Sequence, residues 1–74
     1  MAFLTTDDLL IELGSVTSRS DARAMMSRAA RIAGVVTGRP LEVRELLMVC
    51  EALAAEGGAI QQMAEAVATR VLRD

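Results

Sequence analysis

Residues 41–54 read Leu41-Glu42-Val43-Arg44-Glu45-Leu46-Leu47-Met48-Val49-Cys50-Glu51-Ala52-Leu53-Ala54, and the period of their apolar positions decides the fold. Val43, Leu46, Leu47, Cys50, Leu53 and Ala54 recur at steps of three and four, the spacing that lines up one face of an α-helix. Met48, Val49 and Ala52 fall off that stripe yet are apolar too. A helix that is apolar on more than one side is covered on more than one side. The stretch is expected to start a helix near Pro40 or Leu41 and to supply the centre of a core. It is also expected to present Met48, Val49, Ala52 and Leu53 to a second copy of the chain.

Upstream, Leu4-Thr5-Thr6-Asp7-Asp8-Leu9 carries the marks of a helix start. Thr5 is the N-cap, Asp8 closes a capping box three residues later, and Leu4 with Leu9 forms a hydrophobic staple. Gly14 after Leu13 ends this helix after about two turns. The hydroxyl-rich segment from Ser15 to Ser20 leads to a second start at Ser18 or Ser20, with Ser18 and Asp21 again at capping-box spacing. The second helix aligns Ala22, Met25, Met26, Ala29, Ile32, Ala33 and Val36 on one stripe, with Arg23, Ser27, Arg28 and Arg31 opposite. Because the stripe runs to Val36, its stop is expected at Gly38, ahead of Arg39-Pro40, rather than at Gly34.

Downstream, Gly57-Gly58 breaks the chain, and Ile60, Met63, Ala64, Val67 and Val71 resume the helical period with Gln61, Gln62, Glu65, Thr69 and Arg73 opposite. No window alternates β-branched and aromatic residues between turn signals, as a strand would. The expected fold is therefore all-α: residues 1–74 as one small four-helix bundle with a short first helix and antiparallel neighbours. Of the apolar 53%, 13 residues are Ala, and the one aromatic residue is Phe3. Each buried position therefore contributes little area, so a homo-oligomer, most simply a two-fold dimer, is expected to supply the remaining burial.

The inventory of side chains narrows function further. The chain has no His, Lys, Tyr, Trp or Asn and a single Cys. A general base working near neutral pH is usually His, a Schiff base needs Lys, and a transition-metal site needs several His or Cys ligands. Neither an enzyme nor a cofactor or metal site is expected. One Cys makes no internal disulfide, no apolar run approaches membrane-span length, and Met1-Ala2-Phe3-Leu4 runs into Thr5, Thr6, Asp7 and Asp8 without a basic residue. The expected setting is cytoplasmic, with no membrane contact.

Against a net charge of −2, residues 19–39 stand out, with Arg19, Arg23, Arg28, Arg31 and Arg39 opposed only by Asp21. Such a stretch is a solvated face, or a surface for acidic protein or for phosphates, which guanidinium forks engage bidentately. A helix-turn-helix, which would place a helix in the major groove, can be tried in two registers. Ala30 with Gly34 has the right spacing, but Pro40, Glu42, Glu45 and Glu51 follow. Leu10 with Gly14 leads into Ser18-Arg19-Ser20-Asp21-Ala22-Arg23, but a bulky Leu10 stands where a small residue belongs. No aromatic platform is present for stacking on single-stranded nucleic acid.

In length and helix number the chain is similar to the acyl carrier proteins. Their prosthetic-group Ser sits in Asp-Ser-Leu, whereas this sequence has Arg19-Ser20-Asp21, and their second helix is acidic where this one is rich in Arg. The resemblance ends at size and helix count. The function read from the sequence is a non-enzymatic interaction or assembly module that associates with itself and with a protein partner. The alternative is a small helix-turn-helix-like DNA-binding regulator that uses the second helix. Cys50 is expected to be a buried structural thiol.

Overall fold

Helices α1, α2 and α3 start where a nearby side chain engages backbone amides at the helix end. A computed structural model describes residues 5–37 and 39–73. Leu4, Phe3 and Gly38 therefore lie outside the described residues. The helices are α1 (Thr6–Leu13), α2 (Arg19–Ala33), α3 (Val43–Ala54) and α4 (Gly58–Arg73), with no strand among the described residues. The fold is all-α, as the sequence implies, and no described helix is long and apolar enough to cross a membrane.

The starts of α1 and α2 follow their caps. The Asp8 amide donates to Thr5 Oγ1 at 3.2 Å and the Thr5 amide donates to Asp8 Oδ2 at 2.9 Å, which completes the capping box. At α2 the Asp21 amide donates to Ser18 Oγ at 3.1 Å. The start of α3 falls later than Pro40 or Leu41: Glu42 is the N-cap residue, and its amide donates to Glu45 Oε1 at 3.0 Å. Leu41 stays outside the helix and is buried in the core. Gly57 and Gly58 take φ of 79° and 58°, a left-handed pair that glycine adopts without a Cβ penalty, and so turn α3 tightly into α4.

The end of α2 differs from the sequence expectation. Gly34 adopts φ 71° and ψ 31° and closes the helix. Its amide donates to the Arg31 carbonyl at 3.2 Å, and the Val35 amide donates to the Ala30 carbonyl at 3.0 Å. That is a Schellman motif, which satisfies carbonyls that a continuing helix would otherwise have used. Beyond Gly34 the helical period no longer applies, so Val35 packs on the core while Val36 is exposed. Ile32, also placed on the apolar stripe by spacing, is 73% exposed.

Packing follows chain order. Helix α3 lies between α2 and α4 and packs extensively on both, whereas α1 packs on α2 and touches α4. Among the described residues no Cα of α2 comes within 8 Å of one in α4, so α3 is the central element. With cover on two flanks, the buried arc of α3 is Leu46, Val49, Cys50 and Leu53. Leu47 and Ala54 are half-buried and Val43 is exposed. The stripe is rotated from the one that spacing alone marks, because its centre is set by the line between two neighbours rather than by the most regular repeat. Val49 and Leu53, expected at an oligomer interface, are both 0% exposed inside this chain's own core. That part of the interface expectation is corrected. Helix α4 follows its expected stripe, with Ile60, Met63, Ala64 and Val67 buried and Val71 half-buried.

The rotated register is measurable. Leu53→Ala should cost about 3 kcal/mol in urea unfolding, from lost burial and a residual cavity. Val43→Ala should change stability by less than about 1 kcal/mol, because an exposed position in the first turn leaves no cavity. Equal losses at the two positions would restore the register in which Val43 belongs to the core.

Candidate interaction surface

The basic segment divides once it is folded. Arg28 Nη2 lies 3.0 Å from Glu56 Oε2, which joins α2 to the turn between α3 and α4. Arg39 Nη2 lies 3.3 Å from Glu45 Oε2 and braces the approach to α3. Outside that segment, Arg70 Nη2 meets Glu12 Oε1 at 3.1 Å and links α4 to α1. Arg44 Nη2 lies 4.0 Å from Glu42 Oε2, with both side chains largely exposed. Solvated pairs of this kind contribute little each, at most about 1 kcal/mol, but they consume charge that a partner would otherwise meet.

Arg19, Arg23 and Arg31 have no ion-pair partner among the described residues. With Ser27 they follow one ridge of α2 at four-residue steps, all exposed. Arg28 sits on a different side, turned to Glu56. The five-Arg face read from the sequence is therefore a three-Arg ridge plus two charges already occupied at home.

Beside the start of that ridge, α1 and α2 leave an open groove of ≈ 560 Å³. Leu10, Ile11 and Ala22 give it apolar lining, and Arg19 and Arg23 stand at its edge. Ile11 is 74% exposed. Sequence reading passes over Ile11, although its position off the Leu9 and Leu13 stripe of α1 is a signal that it faces outward. The turn from Gly14 to Thr17 separates α1 from α2, but Gly14 is right-handed, with φ −63°. In the other register Gly34 is left-handed, but residues 35–42 intervene before α3, longer than the three- or four-residue turn of a helix-turn-helix.

A second surface lies on the outside of α3. Met48 is 45% exposed and Ala52 half-buried, with Arg44, Glu51 and Ala55 exposed around them. Met48 and Ala52 are the members of the expected interface that remain accessible once Val49 and Leu53 are assigned to the core.

Cys50 is on the opposite side of α3, buried among apolar side chains. Desolvation by that burial raises its thiol to about 11 from an ordinary 9.0. The neutral thiol is neither a nucleophile nor a metal ligand. Among the described residues no three His, Cys, Asp or Glu side chains gather where they could hold a metal ion. No buried side-chain nitrogen or oxygen among them lacks a hydrogen-bond partner. No protein family, curated protein or solved structure matches the chain.

The chain has neither Lys nor Tyr, so Cys50 is the one side chain expected to titrate between pH 9 and 11. The unfolded thiol ionises first while the folded one keeps its proton, so its stabilising contribution is intact below about pH 9 and is lost as pH rises to about 11. The urea midpoint should fall across that window in the wild type and stay level in Cys50→Ala. Parallel curves for the two proteins would show that the thiol is not held protonated by the fold.

Proposed function

We propose that this chain is a non-enzymatic helical interaction module that self-associates, as a homodimer, and binds a protein partner. The observation that carries the reading is the apolar surface left over when the core closes. Ile11, Ile32, Met48 and Leu72, one on each helix, remain largely outside a core already filled by Leu, Val, Met, Ile and Ala. Scattered exposed apolar residues are ordinary. Here, however, Met48 sits on α3 between Arg44 and Glu51 with small Ala52 beside it, and Ile11 lines a groove edged by Arg19 and Arg23. The α3 surface combines an apolar centre with flanking charges, the anatomy of a protein interface, whereas the groove beside Ile11 is lined by polar as well as apolar residues. The absence of His and Lys from the sequence supports binding over catalysis, and a free buried thiol suits a reducing, cytoplasmic setting.

Sedimentation over a range of concentrations tests this reading. The wild type should shift from monomer to dimer, and Met48→Glu should weaken that association by about tenfold or more. A monomer at every concentration would overturn self-association, and an unchanged dimer in the variant would remove the α3 face from it.

A second reading, a DNA-binding regulator, is favoured by one observation: the Arg19, Arg23 and Arg31 ridge without acidic partners among the described residues. Three Arg on an acidic chain offer few phosphate contacts, so any duplex binding should be weak and sharply reduced by salt. Loss of a salt-sensitive duplex shift in an Arg19→Ala, Arg23→Ala double variant would support that reading. No shift by the wild type at low salt would dismiss it.

A further inference from the structure

The outer face of α3 bears a charge pattern that specifies how two copies would meet, an inference that rests on the self-association proposed above. Around Met48, Arg44 lies one turn towards the N-terminus and Glu51 nearly one turn towards the C-terminus, all within a narrow arc of the helix surface. All three are exposed. The charges are accessible to a partner: Arg44 reaches only Glu42, at 4.0 Å and with both side chains largely in water, and Glu51 has no ion pair among the described residues. Ala52 and Ala55 carry no bulk beside Met48, which lets a second helix approach to the short end of the usual range, about 8 Å between axes.

We infer that this face binds a second copy of itself, α3 against α3, antiparallel about a two-fold axis beside Met48, with each Arg44 paired to Glu51 of the other copy. A two-fold interface brings one patch onto itself, so it must be self-complementary. An apolar centre with one cation on one side and one anion at nearly equal distance on the other meets that condition only when the helices run antiparallel. A parallel pairing would set Arg44 against Arg44 and Glu51 against Glu51, with like charges opposed along the whole contact. The competing surface, the groove between α1 and α2, lacks this balance. Its edge carries Arg19 and Arg23, and two copies brought together there would repel.

The apolar contact supplies the attraction and the charges set the direction, since exposed ion pairs give specificity more than affinity. A single helix-on-helix contact is smaller than the roughly 800 Å² per partner of a standard interface, so the dimer should dissociate in the micromolar range.

Charge exchange tests the arrangement. Arg44→Glu and Glu51→Arg each place two like-charge pairs in the dimer, and each alone should weaken association by about tenfold or more. Mixed in equal amounts, the two variants should recover a heterodimer. In it, the carboxylate introduced at position 44 of one copy faces the guanidinium introduced at position 51 of the other, and the unaltered Arg44 and Glu51 face each other. Both substitutions put charge where the helix dipole favours it, negative near the start and positive near the end, so helicity measured by circular dichroism should be unchanged. Sedimentation of the wild type, of each variant and of the mixture has four distinguishable outcomes. Weakening of each variant with recovery on mixing supports the antiparallel pairing. Weakening without recovery overturns the pairing of Arg44 with Glu51. A wild-type dimer matched by both variants overturns this interface but leaves self-association standing. A wild type that stays monomeric overturns both.

Discussion

The fold depends on the burial of α3 between α2 and α4. With no aromatic residue among those described, the core is built from Leu, Val, Met, Ile and Ala, and these fill it only where helices pack closely. Val49 and Leu53 are sealed on α3, and small Ala22, Ala29 and Ala64 are the buried residues of α2 and α4 that add least bulk to the same core. Because α3 packs on both α2 and α4, the removal of a large side chain from its inner arc would cost burial against both neighbours. The short α1 completes the core from the side by inserting Leu9 and Leu13.

That arrangement also organises the surface. Three of the ion pairs are local or bridge elements that packing has already brought together, and in doing so they neutralise Arg28, Arg39 and Arg70. Among the remaining exposed charges, which also include Asp7, Asp21, Glu65 and Arg73, two patterns stand out. One is the one-sign ridge of Arg19, Arg23 and Arg31 on α2. The other is the two-sign pattern of Arg44 and Glu51 on α3. A one-sign ridge attracts anionic partners but repels its own copy, whereas a balanced pattern can close on itself. The one-sign pattern and the balanced pattern thus lie on different helices, α2 and α3.

Cys50 shows how position outweighs residue type. A thiol is one of the few reactive groups in this sequence, yet on the inner arc of α3 it acts as a small apolar side chain. Its raised ionisation follows from desolvation alone, with no charged neighbour contributing. The reading of Cys50 as a structural thiol from its place on an apolar stripe is consistent with the fold, because Cys50 lies where the expected stripe and the buried arc of α3 overlap.

The sequence by itself determined the helix count, the start of α1 and the break at Gly57-Gly58, and narrowed the start of α2 to Ser18 or Ser20, of which Ser18 is the cap. These rest on hydrogen bonds and backbone preferences spanning a few residues: Thr5 with Asp8, Ser18 with Asp21, and left-handed glycines. Tertiary structure decided what depends on distant neighbours. A stripe that continues past Gly34 does not fix whether α2 stops there or runs on, and it is the Schellman closure that turns Val35 rather than Val36 onto the core. Which arc of α3 faces inward depended on where α2 and α4 sit, and so Val49 and Leu53 went to the core while Met48 stayed outside. Which Arg would be free depended on Glu56 and Glu12, brought to Arg28 and Arg70 across 28 and 58 residues of chain. Local chemistry is written at the scale of a helical turn, whereas register and charge pairing are set only when the helices close on one another.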